Sequence, residues 1–247
     1  MRFAAIADIH GNSAALRAVL ADVARMGISE IVNLGDALSG PLDPAGTADL
    51  LIPMNLPTVS GNHDQWLVDR PFDEMGMWEQ WTIPELSDRH LCWVRDFPKT
   101  LEWNGVFLCH ATPSDNAENW LDRRGDGQLV SATGARVQER LGAVGAPLVL
   151  CGHTHIPRVV RVGSTLIANP GSVGCPAYLD TRSTPAFVGE TGAPDARYGI
   201  FEYVDGGWQT QLCTVPYDPA PMIELALGKG AESWGTALKS GWFSSER

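Results

Sequence analysis

The sequence predicts an α/β fold, a pair of mixed β-sheets flanked by helices. Three observations predict it. The first two-thirds of the chain alternates short apolar runs with helix-period patterns, as α/β proteins do. From Thr100 onward, apolar segments come in pairs joined by turn residues, which read as antiparallel hairpins. Several apolar runs end in short polar motifs of His, Asp and Asn, and strand ends are where open α/β sheets place ligands.

Residues 2–7 read as a buried strand. Residues 13–26 read as a helix, because Leu16, Val19, Leu20 and Val23 repeat on one apolar face and Gly27 ends it. Glu30–Leu34 is the next strand, Pro44–Ile52 a helix with proline in its first turn, and Pro57–Ser60 a third strand. Residues 65–83 are rich in Trp and Met and take no clear assignment. Pro84–Asp96 is helical, with Ser87 or Asp88 as an alternative start. Hairpins follow at 100–109 about Asn104-Gly105, at 158–168 about Gly163-Ser164, and at 198–215 about Asp205-Gly206-Gly207. Between them lie a helix at 133–143 and a strand at Leu148–Cys151. Residues 176–196 hold three prolines and read as a long loop, and the segment after 217 is unassigned. No linker composition appears, so the expectation is a single domain over 1–247.

The composition is that of a globular protein, with 44% apolar and 19% charged residues. No apolar run approaches the ~18 residues that span a bilayer. The amino-terminal run leads straight into a chemical motif, which a cleavable leader would not carry. Five cysteines, an odd number without a C-x-x-C pair, suggest reduced thiols and a cytoplasmic protein. The net charge of −11 and the lack of a Lys/Arg-rich stretch argue against stable nucleic-acid binding. They do not exclude a phosphate substrate, because bound metal ions can reverse the local sign.

Five of the six histidines fall in motifs that end strands: Asp8-Ile9-His10-Gly11-Asn12, Gly35-Asp36, Gly61-Asn62-His63-Asp64, His110, and Gly152-His153-Thr154-His155. In an extended segment residues i and i+2 point the same way, so Asp8 with His10, and His153 with His155, can each converge on one centre. Carboxylate, imidazole and amide oxygen suit borderline to hard metals. Two metals need a bridging group, which a carboxylate such as Asp36 can supply. Singly, each motif has an ordinary reading: a chance Asp-x-His, an Asx-rich turn, surface histidines beside a hairpin. Their joint occurrence decides for a two-metal site. His90 lies outside any motif and reads as structural or exposed.

The order D-x-H, G-D, G-N-H-D, H, G-H-x-H resembles the calcineurin-like metallophosphoesterase superfamily. Within it, the chain looks like the short prokaryotic phosphodiesterase or diadenosine-tetraphosphatase-like branch. Asn169–Gly174 and His110-Ala111-Thr112-Pro113 with Trp120-Leu121 add to the likeness. The resemblance implies two packed mixed sheets flanked by helices. It implies that Asp8, His10 and His155 hold one divalent ion (Mn, Fe or Zn), that Asn62, His110 and His153 hold the other, and that Asp36 bridges them. His63 would be the general acid, oriented by Asp64. The implied reaction is hydrolysis of a phosphodiester or nucleotide-like small molecule by a metal-bridging hydroxide. A phosphomonoesterase or protein phosphatase would use the same residues. A non-catalytic scaffold on this fold is the reading from another class, and eroded ligands would mark it; here the set is complete.

Three weaker signals remain. Trp66, Trp78, Trp81 and Trp120 read either as an aromatic rim for a nucleobase or as a packed cluster. Arg123 and Arg124 read as an exposed pair or as phosphate contacts. Residues 65–83 and 176–196 follow motifs on irregular segments, so they are expected to govern substrate choice.

Overall fold

The computed structural model describes residues 1–244. Strand β1 (Arg2–Ile6) leads into helix α1 (Ser13–Arg25), where the Asn12 side chain caps the first turn by accepting from the Ala15 amide. Such a cap is worth ~1 kcal/mol. Strand β2 (Ile31–Asn33) runs parallel to β1, as a helical crossover requires. Helix α2 (Pro44–Leu51) places its proline where no amide hydrogen is needed, and Asp43 caps it. The expected strand at 57–60 reduces to a single bridge between Asn33 and Thr58. Pro57 lacks an N–H, so a longer ladder there would lose a rung.

Helices α3 (Asn62–Asp69), α4 (Met77–Thr82) and α5 (Asp88–Arg95) occupy the Trp-rich segment and its continuation, with Ser87 capping α5. The chain then forms β3 (Thr100–Trp103), β4 (Val106–Cys109), β5 (Asp122–Gly125), β6 (Gln128–Ser131), α6 (Gly134–Leu141) and β7 (Leu148–Leu150). It continues through β8 (Arg158–Val162), β9 (Thr165–Asn169), β10 (Ala177–Asp180), β11 (Phe187–Glu190), β12 (Ala196–Val204) and β13 (Gly207–Val215). Helices α7 (Ala220–Gly228) and α8 (Glu232–Ser240) fill most of the segment left unassigned after 217; its last three residues lie outside the described ones.

Two mixed sheets form the frame, in the orders β13-β12-β1-β2 and β3-β4-β7-β9-β8. They pack face to face through Phe3, Ala5 and Ala7 on one side and Leu108, Leu148, Leu150 and Ala168 on the other. The alternate residues of β1, Ala4 and Ile6, face Leu16 and Val19 of α1 instead, so the strand period of two supplies both layers. The far side of the second sheet is covered by Val137 and Leu141 of α6. Each fully buried Leu, Ile or Phe in these layers contributes ~1.5–3 kcal/mol. Helices α7 and α8 bring Met222, Trp234 and Leu238 against Leu42 and Cys175.

A third, small sheet, β10-β11-β6-β5, was not expected. Residues 176–196 are not one loop: two strands sit between the prolines rather than across them. The β5–β6 hairpin turns on Asp126-Gly127, both with positive φ (48° and 77°). That turn is legible, but the flanking Asp-Arg-Arg-Gly has no apolar alternation to mark a strand. No helix among the described residues is long and apolar enough to cross a membrane.

Candidate metal centre

Four of the five motifs follow a strand and Gly61–Asp64 follows the Asn33–Thr58 bridge, and main-chain hydrogen bonds tie the departing segments together. The Asp8 and His10 amides donate to Gly35 O and Asp36 O (3.0 Å each), the Gly152 amide to His110 O (2.7 Å), and the Val173 and Gly174 amides to Ala7 O and Asp8 O. The side chains do not converge through an extended backbone, as the i, i+2 argument supposed. Asp8, His10, Asp36, His153 and His155 all have positive φ, between 51° and 70°. Left-handed turns swing these five side chains inward. Such strain in non-glycine residues clusters at functional sites. Gly61 is needed here for a different reason, since a Cβ on it would lie 2.0 Å from Asp36 Oδ1.

The result is a buried cluster with imidazole nitrogens and carboxylate oxygens turned toward one another. Asp8, His10 and His155 form one group that could hold a metal ion, and Asp8, Asp36 and His110 a second. His10 Nε2 lies 3.2 Å from His155 Nε2. His155 Nε2 lies 3.4 Å from Asp8 Oδ1, and His110 Nε2 lies 3.2 Å from Asp36 Oδ2. Ligand atoms each ~2.1 Å from one ion are roughly 3–3.5 Å apart, so these spacings fit. Asp36 Oδ2 also lies 3.9 Å from His10 Nε2, and Asp8 Oδ1 4.0 Å from His110 Nε2. Both carboxylates therefore reach both groups, where the motifs had singled out Asp36 alone.

Three rings are held by main-chain carbonyls on the opposite nitrogen. The Nδ1 atoms of His10, His110 and His155 contact Ser39 O, Leu34 O and Cys175 O at 2.7–2.8 Å. With Nδ1 donating, each Nε2 is left as the lone pair that a metal takes. Asn62, the first residue of α3, is 2% exposed, and neither side-chain polar atom has a hydrogen-bond partner. Buried polar atoms without partners are rare, and donors of this chemistry fit a metal. His153 is half-buried, with its ring 5.4 Å from that of His110.

The cluster is electrostatically divided. Burial opposes charge on Asp36, His10, His110, His153 and His155. For Asp36 the neighbouring His110, His63 and His10 outweigh burial and hold the carboxyl well below its ordinary range. Burial of His110 is outweighed by Asp36, which pushes its pKa up to about 9; His155 is likewise raised, by Asp8. Burial, joined by a neighbouring imidazole, pushes His10 and His153 down to about 3. A divalent ion binds neutral imidazole, so uptake would release protons from His110 and His155.

The structure separates His63 from Asp64. Asp64 does not orient His63: its carboxylate accepts from the Asp36, Ala37 and Gly61 amides at 2.7–3.0 Å and so fixes the loop carrying Asp36. Adjacent helical residues do not face each other, and both residues lie in α3. Burial and Asp36 push Asp64 up to about 6. The partner of His63 is Glu79 of α4, whose Oε1 meets His63 Nδ1 and which is 1% exposed. Trp78 stacks on the His63 ring at 5.0 Å and 18°, and the His63 main chain donates to Asp36 Oδ1 (2.9 Å).

A cavity of about 240 Å³ opens over Asp36, His63, His153 and His155, with Trp66, Trp78 and Tyr178 on its walls. Arg70 and Arg182 also line it. No sequence motif marks Glu79, Tyr178 or either arginine. Other weak signals resolve as packing. Trp120 is buried and its indole donates to Val137 O, Trp81 packs beside α7 and α8, and Arg123 and Arg124 sit exposed on β5. His90 belongs to the Ser87 cap and meets Asp49 at 3.3 Å.

Comparison with known proteins gives a consistent family. Residues 1–189 match the model of the calcineurin-like phosphoesterase superfamily domain. An uncharacterised protein of Methanocaldococcus jannaschii is 28% identical over 246 residues, covering 94% of each chain. The crystal structure of a metallophosphoesterase from Sphaerobacter thermophilus is 27% identical and superposes with a TM-score of 0.75 over 98% of this chain and 100% of its own. A hypothetical protein from Pyrococcus horikoshii OT3, 16% identical, shares the fold with a TM-score of 0.78 over 97% and 98% of the two chains. This chain belongs to the calcineurin-like phosphoesterase superfamily, whose members are hydrolases that act on phosphate esters with divalent metals.

Proposed function

We propose that the protein hydrolyses a small phosphodiester or nucleotide-like ester at a binuclear centre. The observation that carries this reading is the buried meeting of Asp8, Asp36, His10, His110 and His155, with three Nε2 atoms freed by main-chain contacts on Nδ1. Asp8, His10 and His155 would hold one ion, Asn62, His110 and His153 the other, with Asp36 shared. Mn, Fe and Zn suit this N/O donor set. When bound, two divalent ions polarise phosphoryl oxygens and activate a water.

The chain's own residues do the rest. His63 lines the cavity and donates a proton to the departing oxygen. Glu79 holds Nδ1, leaving Nε2 for the substrate, and the stacked Trp78 fixes the plane of the ring. Trp66, Trp78, Tyr178 and Phe187 line a volume suited to an aromatic or nucleobase group. Elemental analysis of reconstituted protein should find up to two transition-metal ions per chain, with metal-dependent turnover of bis-p-nitrophenyl phosphate. Protein that never exceeds one ion, or that is inert when loaded, would sink this reading. Higher kcat/KM on the monoester p-nitrophenyl phosphate would select the phosphomonoesterase alternative.

Glu79 supplies a prediction of its own. Glu79→Gln keeps the volume but removes the charge facing His63. Turnover of an alkyl phosphodiester should fall ~10–100-fold, the usual cost of losing a group that orients a functional histidine. Metal content should be unchanged. Unchanged turnover of the alkyl ester by Glu79→Gln would show that Glu79 does not orient His63.

A further inference from the structure

We infer that Arg70 and Arg182 form a clamp for a second phosphate, so that the substrate is an organic phosphate with a further phosphate beyond the one hydrolysed. This rests on the metal-centred reading above. The two guanidinium groups come from distant parts of the chain, one just past α3 and the other just past β10. Both settle over the same indole: Arg70 Cζ lies 4.3 Å and Arg182 Cζ 4.6 Å from the Trp66 ring centroid. Both line the cavity that also exposes Asp36, His63, His153 and His155.

The chemistry of that arrangement favours an anion. A guanidinium stacked on an aromatic face uses its π surface there, and its N–H groups lie in its own plane, where they can fork onto phosphate oxygens; Arg182 would do so in exchange for its long contacts to Asp180. The cavity's carboxylates are already committed. Asp36 belongs to the metal cluster, Glu79 meets His63, and Asp180 meets Arg182 through contacts of 3.4–3.5 Å. Arg70 pairs with none of the three. On a chain of net charge −11, the two guanidinium groups on Trp66 concentrate positive charge at one wall of this cavity. One phosphate meets the metal cluster, and the clamp takes an anion at the other end of the same molecule. Trp66 holds both arginines in place, which reduces the rotamer entropy lost on binding.

Calorimetric titration of manganese-loaded protein with adenosine 3′,5′-bisphosphate and with AMP tests this. The bisphosphate should bind at least ~10-fold tighter than AMP, the effect of one charge-assisted hydrogen bond. In Arg70→Ala/Arg182→Ala the ratio should fall below about threefold. Arg70→Lys/Arg182→Lys, which keeps the charge but not the fork, should give an intermediate ratio and guards against misfolding of the alanine variant. A wild-type ratio near one in protein that still hydrolyses bis-p-nitrophenyl phosphate overturns the clamp. So does an alanine variant that weakens both ligands equally. If chelation leaves both affinities unchanged, it is the metal-centred reading that fails.

Discussion

Asp36→Asn should lower kcat on bis-p-nitrophenyl phosphate by at least ~10³-fold, because loss of a single positioned electrostatic donor already costs ~10²–10³. It should also leave less than two ions per chain. The reason is position. Asp36 Oδ1 accepts from the His63 amide, while Oδ2 lies 3.2 Å from His110 and 3.9 Å from His10. One residue thus anchors the first turn of α3 and serves both ligand groups. Asparagine fills the same volume, so the fold survives, but it removes the charge that both ions would share and that holds His110 near pKa 9. Asn62 serves a single group, and Asn62→Ala should cost distinctly less. Equal losses, with two ions retained in both variants, would show that Asp36 is not the shared ligand.

His63→Ala should separate proton donation from metal binding. The variant should keep its ions, since His63 belongs to neither ligand group and its Nδ1 meets Glu79, although its ring also lies 5.4 Å from that of His10. On an alkyl phosphodiester, turnover should fall by ~10²–10⁴, the usual range for a lost general acid. An alkoxide leaves poorly without a proton, whereas a nitrophenolate leaves readily. The loss on bis-p-nitrophenyl phosphate should therefore be markedly smaller. Parallel assays on the two esters, with metal content measured on the same samples, decide the matter. An equal loss on both would make His63 a phosphate-binding group, and a loss of metal would make it a ligand.

The ligand set was legible because metal chemistry restricts both residue type and spacing. Few side chains can serve, and glycines must flank them where the chain turns. The fold brings Asp8, His10, Asp36, His110 and His155 together, with Asn62 buried and unpartnered and the His153 ring 5.4 Å from that of His110; left-handed turns, not extended backbone, carry Asp8, His10, Asp36, His153 and His155. What was hidden acts across the fold. Glu79 reaches His63 from sixteen residues away on another helix. Arg70 and Arg182, from segments far apart in sequence, come to one site only because both pack on Trp66. Ser39, Leu34 and Cys175 act through carbonyl oxygens, which any residue at those positions would supply. Asp64 adjoins His63 in sequence but not in contact, because a helix turns neighbours apart, and its carboxylate holds the Asp36 loop instead.

The left-handed conformations of His10, His153 and His155 also set stability against activity. For L-residues this region costs about 1–2 kcal/mol each, and asparagine tolerates it better. Three imidazoles held there forgo roughly 3–6 kcal/mol, a large share of the ~5–15 kcal/mol that keeps a domain folded. The fold is therefore poised below the robustness its core would allow, and the difference is the cost of aiming those rings. An Asn at 153 would relax one of them. Thermal unfolding of metal-free His153→Asn should then give a midpoint higher by ~2–4 °C, as ~1 kcal/mol does in a chain of this size. Metal affinity of the same variant should fall. A lower midpoint would mean that packing of the His153 ring outweighs the backbone strain. The two measurements are expected to move in opposite directions, which makes this cluster a place where drift toward a sturdier protein is drift away from a working one.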